Sequence, residues 1–272
     1  MNTTFGGRFG RCMVLGGAWM VLAYLVLPLA IIFPVSLTDQ HYLALPKEGL
    51  SLRHYEAFFT KPIWIQAAFQ SLVIAAASTV AAVVIGTLCA IGCWRLSSRA
   101  SEFARSFMLL PIIVPAIVQA LAMYRFWIDL GLMDSYAGVI LAHTIVGIPY
   151  VVITVSASLA NFDLRQEQAA RGLGASMGQT VRWVVVPGIM PGILSGALFA
   201  FTHSFDEIVI VLFLTSRTIY TLPKRIWDGI EDHVDPTIAA VATLLILATF
   251  LLLLADLLYR RRRDRRVAAS AG

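Results

Sequence analysis

The stretch Gln168-Ala169-Ala170-Arg171-Gly172-Leu173-Gly174-Ala175-Ser176, continuing to Val186-Pro187 and Pro191-Gly192, is polar and amphipathic between two long apolar runs. Leu164, Ala170 and Leu173 share one face of a short helix, and Gly174 is a natural helix stop because glycine accepts a left-handed backbone. A second short helix fits before Pro187. A helix–glycine–helix lying outside the apolar segments keeps its polar face open to a partner.

Moving outward, 58% of the 272 residues are hydrophobic and only 14% charged, whereas a soluble domain carries about a quarter charged residues. A domain of this size cannot hide so much apolar surface by folding alone. Lipid is the solvent that fits it. A bilayer core needs roughly 20 apolar residues per helix, and six segments qualify: about 13–35, 67–93, 107–127, 138–160, 189–214 and 237–259. The run from Met13 to about Val35 exceeds a signal-peptide core and lacks a small-residue cleavage site, so it reads as a retained first span. The expectation is an all-α integral membrane protein, one transmembrane domain over residues 1–272.

Orientation follows from Lys and Arg, which concentrate in cytoplasmic loops. With both ends inside, the cytoplasmic segments, including the loop 161–186, hold 14 of the 21 basic residues. Six of these, Arg260 to Arg263 with Arg265 and Arg266, follow the last apolar run. The net charge of +5 is thus a membrane-orientation signal rather than a nucleic-acid footprint. The outer segments hold most of the acids, among them Asp228, Glu231, Asp232 and Asp235.

Several spans carry packing signals. Ser78, Ala82, Gly86 and Ala90 recur every four residues and form a ridge that lets a neighbouring backbone approach. Pro111 and Pro115, one turn apart, should kink span three, which membrane helices tolerate where neighbours satisfy the freed carbonyls. Cys89 and Cys93 read as small packing residues rather than a metal or redox pair. Gly174 to Thr180 faintly echoes a phosphate loop, but it lacks the lysine and the glycine spacing.

The polar cluster His203-Ser204-Phe205-Asp206-Glu207 lies inside the fifth apolar run. Asp206 falls about 22 Å along a helix counted from Pro191. A carboxylate at that depth costs about 2.5–3.5 kcal/mol on insertion scales unless it meets water, a cation or a basic partner. Asp206, Glu207 and Ser204 are therefore candidate pathway residues, with Tyr124 and Trp127 offering cation–π contact. The structural alternative is an ion pair with Arg125, although Asp129 is its simpler partner.

The loop resembles the EAA motif of binding-protein-dependent ABC importer permeases, a Glu-Ala-Ala run followed by a glycine and a distal Leu-Pro. Aligned on Gly174, Ala169 and Ala170 match the alanines and Pro187 the proline. The acidic position falls on Gln168, with Glu167 one residue earlier, and Val186 replaces the leucine. Within that family the chain is similar to the spermidine/putrescine-type permeases. That similarity is carried by Pro111 and Pro115, His143 to Tyr150, Ser204 to Glu207, Leu222-Pro223, Trp227 to Gly229 and Asp235 to Thr237.

The resemblance implies a type I ABC importer fold with six spans, in the bacterial cytoplasmic (inner) membrane. Its substrate would be a polyamine or related organic cation. It also implies a coupling helix that docks on a cytoplasmic ATPase through Glu167, Gln168, Ala169, Ala170, Gly174, Ala175, Ser176 and Pro187. The expected partners are two ATPase subunits, a second, homologous permease and a periplasmic substrate-binding protein. ATP and Mg would bind the ATPase, leaving this chain without a cofactor, metal or catalytic residue. The alternatives are a permease for another solute, a proton-coupled secondary transporter using Asp206 or Glu207, and an intramembrane hydrolase built on Ser204.

Overall fold

The computed structural model describes residues 5–47, 49–231 and 235–270. Asp232 and the side chains of the six C-terminal arginines lie outside the described residues. Among those described there is no strand. The helices are α1 (Phe5–Ser36), α2 (Arg53–Thr60), α3 (Pro62–Leu96), α4 (Arg99–Ile113), α5 (Ala116–Leu130), α6 (Tyr136–Ala160) and α7 (Leu164–Gly172). They continue with α8 (Met177–Thr180), a wide turn at Val181–Val185, α9 (Val186–Gly188), α10 (Met190–Asp206), α11 (Val209–Leu214), α12 (Leu222–Glu231) and α13 (Thr237–Ser270). The chain groups into two compact units, residues 66–227 and a unit drawn from both ends, 1–65 with 228–272.

Three helices are individually long and apolar enough to cross a membrane, within Gly10–Ser36, Pro62–Leu96 and Tyr136–Ala160. Two of the expected spans are broken rather than continuous. Span three divides into α4 and α5, which meet at 106°. Proline explains the break: it has no N–H and excludes the preceding residue from helical conformation, and Val114 is extended at φ −77, ψ 130. Gln119 repairs the damage, its amide donating to the carbonyls of Pro111 and Val114 at 2.6 Å each. Span five ends early as well. α10 stops at Asp206, Glu207 is extended, and α11 restarts at Val209. At its other end α10 meets the segment Met177–Gly188 at 69°. Counting each bent pair as one span gives up to five, and the described apolar part of α13 runs Thr237–Leu251.

In the unit built from the chain ends, α13 packs against α1 and α2. Below α1 the buried Ser36 hydroxyl donates to the Phe33 carbonyl at 2.7 Å and meets the Tyr55 hydroxyl at 2.6 Å.

The unit 66–227 is organised around α6. Its buried face (Val139, Ala142, Val146, Val151, Val155 and Leu159) lies between two ridges of small residues. One is the α3 ridge of Ser78, Ala82, Gly86 and Ala90, all buried. A Cβ added at Gly86 would sit 2.8 Å from Cβ of Val151. The other, on α10, consists of Gly192, Gly196, Ala200 and Ser204 at the same four-residue spacing. A Cβ at Gly196 would fall 2.9 Å from the Val151 Cα and 2.5 Å from Thr154 Oγ1. Membrane helices gain little from hiding apolar groups from apolar lipid, so close backbone approach of this kind holds them together.

Asp134, between α5 and α6, ties that turn to the segment after α11. Its carboxylate accepts from the backbone N–H groups of Ser216, Arg217, Thr218 and Ile219 at 2.9–3.2 Å, and its own N–H donates to the Leu214 carbonyl at 2.9 Å. Burial pushes its pKa up, but the four N–H donors outweigh this and hold the carboxyl well below the usual carboxylate range.

Two predictions follow from this packing. Gly196→Ala should lower stability in detergent by about 1–3 kcal/mol, the usual cost of overpacking, whereas Leu194→Ala on the exposed face should change it far less, as thermal unfolding would report. Because the folded pKa of Asp134 lies below its unfolded value of about 3.9, its contribution is complete above that pH and is lost as pH falls below about 4. Asp134→Asn should remove that acid-dependent component of a melting-temperature profile.

Candidate functional site

Two places in the unit 66–227 concentrate polar chemistry, the loop 161–189 and the buried end of the small-residue ridges. Asp163 opens α7, its side chain accepting from the Arg165 N–H at 3.0 Å. The helix ends as Leu173 bonds back to the Ala169 carbonyl at 3.1 Å and Gly174 takes φ +89. Ser176 starts α8 with a reciprocal cap: its hydroxyl accepts from the Gln179 N–H at 3.3 Å, and its own N–H donates to the Gln179 side chain at 2.8 Å. The Val186 N–H then reaches the Val181 carbonyl, a five-residue turn just before Pro187.

These caps leave an outward face of mixed character. Gln168, Ala169, Gly174, Ser176 and Pro187 are exposed, and Ala170 and Ala175 half-buried. Leu173 is 90% exposed, with Leu164, Met177 and Trp183 also in the open. Among the charged side chains of this loop, Glu167 is the buried one. It is 8% exposed and pairs with Arg95 Nη1 at 2.9 Å.

The second place is a chain of hydrogen bonds across three helices. Ser204 Oγ lies 2.9 Å from Ser78 Oγ on α3 and 2.7 Å from His143 Nδ1 on α6. Ser78 also donates to the Ala75 carbonyl at 3.2 Å. With that proton committed, Ser204 gives its own to Ser78 and His143 Nδ1 carries the hydrogen. His143 Nε2 is buried and meets no partner among the described residues. One turn along α10 from Ser204's neighbour His203, Glu207 lies 8% exposed, with its Oε2 3.8 Å from His203 Nε2. Its other oxygen accepts from the Ile210 N–H at 3.1 Å, capping α11. The His203 ring rests 5.0 Å from that of Tyr150. Asp206 is exposed at the end of α10.

Residues 82–264 match the family described as binding-protein-dependent transport system inner membrane component. The chain belongs to this family. It is 30% identical to the spermidine/putrescine transport system permease protein PotC of Haemophilus influenzae, over 90% of this chain and 95% of that one. It is also 30% identical to the putrescine transport system permease protein PotI of Escherichia coli, over 73% of each. Its fold is that of a bacterial ABC transporter involved in import of the acidic polysaccharide alginate, with TM-score 0.72 and 14% identity over 94% of this chain and 98% of that one. The protein is thus the inner-membrane permease component of an ABC importer rather than an enzyme, and in such systems the ATPase is a separate subunit that handles ATP and Mg.

For the permease, Ser204 and His143 form a buried interhelical tie. Tyr124 is 39% exposed. Trp127, by contrast, is turned into the chain: the residue is 7% exposed and its Nε1 donates to the Gly138 carbonyl at 2.8 Å, which leaves little of its face for a cation. Arg125 pairs with Asp129 at 3.1 Å and with neither carboxylate of the polar cluster. Two features escaped sequence reasoning. The partnership of Arg95 with Glu167 spans 72 positions and has no local signature, while the α10 ridge shares its spacing with the α3 ridge and was readable by that signal.

Ser204→Ala should destabilise the permease by about 1–3 kcal/mol, because it strands buried Ser78 and His143. Adding His143→Phe and Ser78→Ala should recover much of that loss, since an all-apolar junction leaves nothing unsatisfied. Unfolding of the purified single and triple variants checks both statements.

Proposed function

We propose that this permease conducts a polyamine or a related organic cation inward, through six crossings with both ends in the cytoplasm, driven by ATPase subunits that grip the loop 161–186. A second permease, homologous to this one, completes the pathway, and a periplasmic binding protein delivers the cargo. What supports the reading is a polar, glycine-bent loop together with two neighbouring carboxylates, Asp206 and Glu207, at a helix break within an apolar run. Likeness to two permeases named for spermidine and putrescine supports the cargo.

The electrostatics agree. The free carbonyls at the end of α10 give that terminus a partial negative charge, and the exposed Asp206 and nearby Glu207 add to it. An extended polyamine with several ammonium groups suits such a site, with Tyr124 available for cation–π contact. On the cytoplasmic side Gln168, Ala169, Leu173 and Met177 present a surface that Gly174 bends, while Glu167 is held inside. Gln168 thus takes the outward place at the ATPase.

Reconstitution with the ATPase, the second permease and the binding protein should give ATP-dependent uptake of labelled spermidine or putrescine. Asp206→Asn should reduce uptake about tenfold, the worth of roughly 1.4 kcal/mol of charge contact. Gly174→Val should leave ATP hydrolysis running while uptake stops. Normal ATP-driven uptake in the Gly174 variant would remove the coupling assignment, and a binding protein that ignores polyamines would remove the cargo.

A further inference from the structure

We propose that the Arg95–Glu167 ion pair is the contact through which motion of the coupling loop reaches α3, making both of them positioning residues for transport. This rests on the coupling reading of the loop. Arg95 stands at the end of α3, about 25 Å along the same helix from Ser78, so one rigid element joins the loop to the buried Ser78–Ser204–His143 junction. Glu167 is the buried acid of a helix whose other polar side chains face outward. Asp163, the other acid of this loop, is occupied in capping α7.

The grip has a second component. Trp94, next to Arg95, meets the Phe162 ring edge-on at 6.1 Å, and the Arg95 guanidinium lies 5.4 Å over the Trp94 ring. The Phe162 ring in turn fills the space beside Gly188, where an added Cβ would lie 2.6 Å from Phe162 Cε2. Adjacent residues of α3 therefore hold the entry of the loop through Phe162 and its helix through Glu167, and Phe162 also touches the exit. A displacement of α7 either moves α3 or breaks these contacts.

The pair is also incompletely committed. Glu167 binds Arg95 through Nη1, and Arg95 Nε and Nη2 are buried without a hydrogen-bond partner among the described residues. A guanidinium is a planar fork able to bind a carboxylate through two parallel bonds. The unused donors offer Glu167 a further bond as α7 turns, so the loop stays attached and its displacement is passed to α3 rather than lost by rupture. A merely structural staple has no need of this further bond.

The test uses the complete importer in proteoliposomes, measuring ATP hydrolysed per cation imported. Arg95→Gln and Glu167→Gln should each raise that ratio by between about twofold and thirtyfold, the range for residues carrying coupling between sites. Arg95→Lys should keep most of the coupling, and the charge swap Arg95→Glu with Glu167→Arg should restore at least part of it. An unchanged ratio in the single variants overturns the proposal. Should the single variants fail to assemble, the swap decides: restored assembly with a ratio still raised also overturns it. A crosslink from Leu173→Cys to the ATPase, in a background free of native cysteines, separates the two readings. If the crosslink forms while the single variants stay coupled, only the ion-pair proposal falls; if it never forms, the coupling loop itself is wrong.

Discussion

Close backbone approach along α6 is the constraint on which the unit 66–227 depends. In lipid, two helices gain no solvent-exclusion energy by hiding leucines from one another, so they associate where small side chains let dispersion and buried polar contacts act at short range. Gly86 and Ala82 on α3, with Gly192, Gly196 and Ala200 on α10, supply that proximity on two sides of α6. Both ridges end in a serine, Ser78 and Ser204, and these serines meet each other, with Ser204 also bonded to His143. The polar junction is accordingly a product of the packing: only helices this close allow hydroxyls on two ridges to share a proton.

The helix breaks form the complement to this rigidity. An interrupted helix inside a membrane exposes backbone groups that lipid cannot satisfy, and each interruption here carries its own remedy. Gln119 donates to the two carbonyls freed around Pro115. Glu207 accepts from the first turn of α11. Irregular backbone of this kind occurs in membrane proteins where it is buried or lines a cavity, and the cargo path proposed above uses the break at Glu207, beside the exposed Asp206.

Much of this was legible in the sequence, for physical reasons. Long apolar runs are helices in any membrane protein, so α1, α3 and α6 appeared almost at full length. The α3 ridge showed in its four-residue spacing, and Pro111 with Pro115 announced the disturbance of span three, though not a turn as sharp as 106°. The end of α10 stayed hidden because the residues after Glu207, from Ile208 to Leu214, are as apolar as those before it, and hydropathy cannot see an extended residue. The inward turn of Glu167 was equally out of reach. A helix places neighbouring residues about 100° apart, and only the location of Arg95 decides which of Glu167 and Gln168 faces the protein. Asp134 gave no signal whatever, since a single loop aspartate becomes a clamp only when a distant segment folds over it.

The bend at Gly174 has a corollary. A Cβ at that position would meet nothing within 4 Å, so what calls for glycine there is the φ of +89 and not packing. Leu173, Gln168 and Met177 are exposed around this bend, so a change of side chain there does not crowd it. In the coupling role proposed above, shape and chemistry are separable: the backbone at Gly174 sets the contour of the joint, and the exposed side chains around it set which motor subunit would fit.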